Sequence, residues 1–208
     1  DCRCQVLCLD AADGKVLWEQ TAYTGRPKIP IHPSNSYATE TPATDGQRVV
    51  ASFGPMGVYC YDLAGQLLWS KDLGSYATQM DWGTASSPVI YGESVFVQCD
   101  NDKDSFLVAL DAKTGDEVWR AARDELSNWS TPIIWKTDER TELVVGGGTK
   151  MRSYDPASGK VLWEMDASGR CSPSPVVSAG LLYVGSAVRL TGQRGIVAAL
   201  KPGASGDI

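Results

Sequence analysis

The chain has 208 residues, with 43% hydrophobic and 21% charged side chains and a formal net charge of −6. That length and composition fit one packed globular domain and exclude a disordered chain. The acidic balance, with Lys and Arg scattered rather than clustered, excludes phosphate-backbone binding, so no nucleic-acid partner is expected; no apolar stretch reaches the ~18 residues of a membrane span, and the longest, 175–188, is broken by Ser178, Gly180, Gly185 and Ser186.

In chain order, residues 1–20 read as two strands joined by a polar turn, with the turn glycine Gly14 and a second run that ends at Trp18. The stretch that follows, 21–39, holds Gly25, Pro27, Pro30 and Pro33, which argue against regular structure over most of it. A second strand-rich unit spans about 40–73, a third 85–122, a fourth 129–166, and a fifth, incomplete, 172–208. Each carries the same segment. Residues 8–18 read CLDAADGKVLW, 60–69 CYDLAGQLLW, 109–119 ALDAKTGDEVW and 153–163 SYDPASGKVLW, while 199–208 (ALKPGASGDI) repeat the start with Lys201 in place of Asp. Asp10, Asp62, Asp111 and Asp155 open the turns, Gly14, Gly65, Gly115 and Gly159 sit within them, and Trp18, Trp69, Trp119 and Trp163 close the runs. The Asp steps are 52, 49 and 44 residues and the Trp steps 51, 50 and 44. Strand-rich self-similarity at that period predicts propeller blades. A hydroxyl residue followed by Pro opens the strands ahead of each hairpin, at Thr41-Pro42, Ser87-Pro88, Thr131-Pro132 and Ser174-Pro175, where Pro removes no ladder hydrogen bond.

The fold class expected is therefore all-β: a β-propeller of four-stranded antiparallel blades, about four of them, in one domain spanning 1–208. The four Trp residues are expected to pack each blade against the next, because a lone sheet cannot bury both faces. The chain starts within a strand-like run and stops within a hairpin-like one, which reads as a partial ring; pairing of two such arcs in a homodimer is one way to cover the end blades.

The repeated segment resembles the tryptophan-docking motif, Ala-x-Asp-x-x-Thr-Gly-x-x-x-Trp, of the PQQ-like propellers. Ala109, Asp111, Thr114, Gly115 and Trp119 match it in full; Cys8 and Cys60 replace the Ala in two other copies. The resemblance implies a larger, eight-bladed ring and a bacterial, periplasmic or extracytoplasmic location. The family includes quinone-cofactor dehydrogenases and a lipoprotein of the outer-membrane β-barrel assembly machinery. The dehydrogenases hold PQQ through Ca2+ with carboxylate and amide ligands, an Asp base, a stacking Trp and usually adjacent Cys residues. This chain has no Cys-Cys pair, and only Asp81 and Trp82 approach that pattern.

Six Cys permit disulfides in an oxidising compartment, but Cys8 and Cys60 occupy a slot taken elsewhere by Ala109, Ser153 and Ala199, where a free thiol serves as a small hydrophobe. Cys2 and Cys4 share one strand face at a spacing poor for zinc. The run Asp100-Asn101-Asp102-Lys103-Asp104 alternates acids as a calcium loop does, yet lacks the Gly and Glu at the required positions, and reads as a solvated turn. Gly146-Gly147-Gly148 lacks the following Lys-Ser/Thr of a phosphate loop.

In a propeller, the connections from one blade to the next gather on one face. Here they are 21–39, 72–86, 121–130 and 166–173. They supply the ligand-binding candidates His32, Tyr37, Asp81, Trp82, Trp129 and Arg170, together with Asn35, Gln79 and Asn128. His32 is the sole His and has no nucleophile placed beside it. Trp82 and Trp129 read either as platforms for a ligand or as loop packing. No catalytic and no metal-binding residue is assigned, and no cofactor is expected. The function expected is a non-enzymatic scaffold or binding module for protein partners or envelope components. A PQQ- and Ca2+-dependent dehydrogenase piece and a carbohydrate-binding propeller are the alternatives.

Overall fold

The computed structural model of the chain describes residues 1–167, 170–187 and 195–208. Residues 168–169, in the connection 166–173, and 188–194, in the fifth blade, lie outside the described residues. The described chain is all-β, with two short 3-10 turns, Gly54–Met56 and Gln79–Asp81.

Strands β1 (Cys2–Leu9) and β2 (Val16–Gly25) form a two-stranded first blade. The second blade is β3 (Ala43–Thr44), β4 (Arg48–Ser52), β5 (Val58–Asp62) and β6 (Leu67–Lys71). The third is β7 (Val89–Tyr91), β8 (Ser94–Cys99), β9 (Phe106–Asp111) and β10 (Glu117–Ala122). The fourth is β11 (Ile133–Lys136), β12 (Thr141–Gly146), β13 (Lys150–Tyr154) and β14 (Val161–Asp166). The fifth has β15 (Val176–Ser178), β16 (Leu181–Gly185) and β17 (Val197–Leu200). Consecutive strands pair antiparallel within each sheet. The first strands β3, β7, β11 and β15 are neighbours across blades, so they form the inner wall.

The alternation of each strand explains why the sheets stack. Val50 and Ala51 follow one another on β4 and point to opposite faces. Val50, with Cys60 and Trp69, packs against Val95, Val97 and Val108 of the third blade. Ala51, with Phe53 and Tyr61, packs against Cys4 and Val6 of the first. Phe96, Leu107 and Ala109 meet Leu143, Val145 and Tyr154, and Val144, Met151 and Trp163 meet Leu182 and Val184. The core is thus a series of interfaces between blades, as a repeat architecture requires.

In each hairpin the Asp carboxylate closes the turn. Asp10 Oδ1 accepts the Ala12 N–H, Asp62 Oδ1 those of Ala64 and Gln66, Asp111 Oδ1 those of Lys113 and Thr114, and Asp155 Oδ1 that of Ala157. The first three indoles then lie on the next blade's turn. Trp18, Trp69 and Trp119 donate their Nε1–H to the carbonyls of Leu63, Ala112 and Pro156, each at 3.0 Å. Each ring rests against the turn glycine, Gly65, Gly115 or Gly159. The small slot is now explained. Cys8, Cys60, Ala109 and Ser153 stand directly across the ladder from Trp18, Trp69, Trp119 and Trp163. A β-bulge at the residue before each Trp (Leu17, Leu68, Val118, Leu162) accompanies this pairing and re-aims the strand end.

Gly115 makes a sharp test. A Cβ there would lie 2.7 Å from two Trp69 ring carbons, on a backbone with φ of +76°. Gly115→Ala is expected to lose about 2–4 kcal/mol in urea unfolding, from the left-handed backbone and the overpacked indole together. Gly92→Ala, with φ of +60° and nothing within 4 Å, isolates the backbone part at about 1–2 kcal/mol. Equal losses would mean that the indole contact contributes nothing.

Two expectations need correction. The first blade was bounded at residue 20, but β2 continues to Gly25, with Cys2 opposite Gly25; Thr21–Thr24 extend readily, and the first Pro comes only at Pro27. The fifth copy does not form its hairpin. Gly206–Asp207 (β18) leave the fifth blade and pair in parallel with β14, with Trp163 opposite Gly206. Lys201 stands where an Asp closes the other turns, so the acceptor that would fold this segment back is missing. Trp163 accordingly donates its Nε1–H at 2.6 Å to the buried Glu142 carboxylate instead of to a following blade. Glu142 also accepts Ser153 Oγ–H at 2.5 Å and Arg140 Nε–H at 2.9 Å.

Candidate binding face

Four antiparallel strands put two kinds of segment on one end of each blade: the connection to the next blade and the turn between the second and third strands. Sequence reasoning counted only the connections. The turns around 53–57, 100–105 and 147–149 share the face with them. Asp102 N–H donates to Ala77 O at 3.2 Å, and Cys171 N–H to Gly147 O at 3.0 Å. Ser127 Oγ–H donates to Asp102 Oδ1 at 2.7 Å. Strand order alone contained this signal.

The face gathers five of the six candidates. Trp82 and Trp129 contact each other, with ring centroids 5.3 Å apart and planes at 47°. Trp129 donates its Nε1–H to Gly83 O at 2.7 Å. The Arg170 guanidinium lies over the Trp129 ring, 4.7 Å from its centroid, and bonds to Gln79 Oε1. His32 joins through its backbone, its N–H donating to Asp81 O at 2.6 Å, while its Nδ1 accepts the Ser34 N–H at 3.1 Å. Asn35 Nδ2–H donates to Trp82 O at 2.5 Å. Tyr37 is not part of this group. It packs between the first and second blades and donates its hydroxyl to Ile29 O at 2.7 Å.

Met80 and Asp81 both have positive φ, 51° and 54°, a conformation that disfavours residues with a Cβ. Bonds from three segments hold them there. Gln79 N–H donates to Ser127 Oγ at 2.9 Å and Gly83 N–H to Thr78 Oγ1 at 2.8 Å, besides the His32 and Asn35 bonds. Met80 is 73% and Trp82 39% exposed. Such strain persists only where the surroundings over-determine it, and it favours sites.

The structure also buries charge that the sequence reading placed in solvent. The run at Asp100 is not a solvated turn throughout: Asp100 and Asn101 are buried. Asp100 accepts Arg123 Nε–H at 2.7 Å and Nη2–H at 3.1 Å, and Arg123 reaches across to Tyr154 Oη at 2.6 Å and Gly146 O at 3.2 Å. Burial opposes the Arg123 charge, but Asp100 and Tyr154 outweigh it and hold the guanidinium above the ordinary arginine range. Arg152 is likewise surrounded, by Asp124, Glu125 and Glu164. The run Asn128-Trp129-Ser130 fits the N-glycosylation acceptor pattern, but Asn128 is buried.

All six cysteines are unbridged. Burial pushes the Cys4, Cys60 and Cys171 thiols up to about 11 and Cys99 up to about 12, so these four stay protonated and inert at neutral pH. Among the described residues, no three His, Cys, Asp or Glu side chains converge as a cation site.

Comparison with known proteins places this geometry. A family described as "Outer membrane protein assembly factor BamB" matches residues 3–125 and 103–202. The chain belongs to the BamB family. BamB from Moraxella catarrhalis superposes with a TM-score of 0.60 at 16% identity, covering 93% of this chain and 58% of that one. The quinohemoprotein alcohol dehydrogenase from Comamonas testosteroni superposes with a TM-score of 0.58, also at 16% identity, over 71% of this chain and 29% of the enzyme. At such identities the likeness to BamB and to the dehydrogenase is one of fold. The serine/threonine-protein kinase AfsK from Streptomyces griseus is 30% identical over 138 residues, 65% of this chain and 16% of the kinase. The chain thus spans a small part of that curated relative and somewhat over half of the BamB structure.

Proposed function

We propose that this BamB-family chain is a non-enzymatic propeller scaffold of the cell envelope that binds a protein partner through the face carrying Trp82 and Trp129. One observation carries the reading: residues from separate connections converge on a single pre-organised, partly exposed aromatic platform. The buried ionic groups Asp100–Arg123 and Arg152–Glu125 are satisfied by one another and serve packing. Trp and Met are enriched at protein interfaces, where one or two such anchors dominate binding. The name of BamB, an outer membrane protein assembly factor, supports an envelope location and a protein partner.

The test is site-specific photocrosslinking. A photoreactive phenylalanine analogue replaces Trp82 in one variant and Thr114, on the opposite end of the blades, in another. Adducts with an envelope fraction are expected from position 82, competed by unlabelled chain and lost when Trp129→Ala is added. Competed adducts from position 114 alone would overturn the assignment of the face.

A further inference from the structure

The segment Met80-Asp81-Trp82 is held rigidly yet leaves its side chains facing outward. The Asp81 carboxylate is exposed and forms no hydrogen bond or ion pair with the described residues, while the bonds of this loop run through its backbone: Asp81 O accepts His32 N–H, and Trp82 O accepts Asn35 Nδ2–H. The Trp82 indole contacts Trp129, and the residue is 39% exposed. We propose that this tip receives a lysine or arginine side chain from an extended segment of the protein partner, the cation stacked on Trp82 and paired with Asp81.

Three observations favour a cation. First, the platform already holds one: the Arg170 guanidinium covers the Trp129 ring, and Trp82 offers the same π-face chemistry to a cation from outside. Second, the charge fits. The chain carries a formal net charge of −6, which attracts basic segments at long range, and Asp102 joins the same loop network through Ser127, where the Arg170 cation is held by Trp129 and Gln79. Third, the two Asn side chains of these loops spend their carbonyl oxygens within the protein. Asn35 Oδ1 accepts Ser36 N–H and Thr39 Oγ1–H while its Nδ2 binds Trp82 O, and Asn128 Oδ1 accepts Trp129 N–H and Ser130 N–H. At the Met80–Trp82 tip this leaves an aromatic ring and a carboxylate, which is half of a cation cage. The strained backbone at Met80 and Asp81 fixes that pair before binding, which limits the entropy lost on association.

This inference rests on the binding-face reading above, and its test is separable from it. The full chain is titrated calorimetrically with an uncharged-ended peptide of alternating Arg and Ser, with the same peptide built on Glu, and with maltoheptaose. Saturable binding of the Arg peptide is expected, about tenfold weaker in Asp81→Asn and in Trp82→Ala, and weakened again at ~300 mM salt. Both substituted side chains are exposed, and circular dichroism checks that the variants fold. Equal affinity in wild type and both variants would mean unspecific attraction to an acidic protein, and would overturn the proposal. So would maltoheptaose binding that Asp81→Asn leaves unchanged, or no Arg-peptide binding. If the Arg peptide fails while competed crosslinks at position 82 persist, the cation class falls and the binding face stands; if both fail, the binding face falls too.

Discussion

Arg123→Met is expected to lower the unfolding free energy by about 3–5 kcal/mol, because it leaves the Asp100 carboxylate buried without its cation. Both side chains of the pair are fully buried. The guanidinium also bridges blades, since Asp100 belongs to the third while Gly146 and Tyr154 belong to the fourth. The loss should therefore appear in the contact between those sheets, as faster amide exchange along β9 and β12. Asp100→Leu combined with Arg123→Met should recover most of the stability, because apolar replacement of a buried pair is often neutral. Urea unfolding of wild type, both single variants and the double variant closes the cycle. A double variant as unstable as the singles added together would show that the two residues act independently.

Trp69→Ala ranks beside it, with about 3–5 kcal/mol expected. The indole is almost fully buried between the second and third blades and is tied to Ala112 O. Its removal empties the space over Gly115 and orphans one carbonyl. Trp69→Phe keeps much of the apolar contact and loses the N–H bond, so it should fall in between, about 1–2 kcal/mol below wild type. Urea midpoints at constant m-value would check the order. If Trp69→Ala unfolds within 1 kcal/mol of wild type, the packing between blades does not depend on that indole.

The periodic Asp, Gly and Trp made the blades legible, because each of those residues answers a local demand: a turn acceptor, a left-handed backbone, a large apolar cover. The convergence of Asp81, Trp82, Trp129 and Arg170 was also legible, as membership of connections that the topology brings to one end. Three things were not. The extra residue before each Trp leaves no mark in composition, since a bulge is a matter of register. Asp100 looked solvated because its partner, Arg123, is separated from it by a whole hairpin and reads as an ordinary charge. Lys201 was noticed as a departure, yet its consequence, that the segment leaves the fifth sheet for β14, depends on the competition between two pairings.

The hydroxyl-Pro dipeptides that seemed only to mark strand starts also join the blades. Thr41 N–H donates to Ser87 Oγ at 2.9 Å, Ser87 N–H to Thr131 Oγ1 at 3.1 Å, and Thr131 N–H to Ser174 Oγ at 2.9 Å. Every link has the same polarity, with the earlier blade donating and the later accepting. A blade therefore behaves as an interchangeable part with a plug at one side and a socket at the other. Duplication or excision of a whole unit between two such dipeptides leaves each surviving link with a proper mate, whereas a cut elsewhere strands an N–H or a hydroxyl. Chains of this kind can thus lengthen or shorten in blade-sized steps without leaving a linking group unmated.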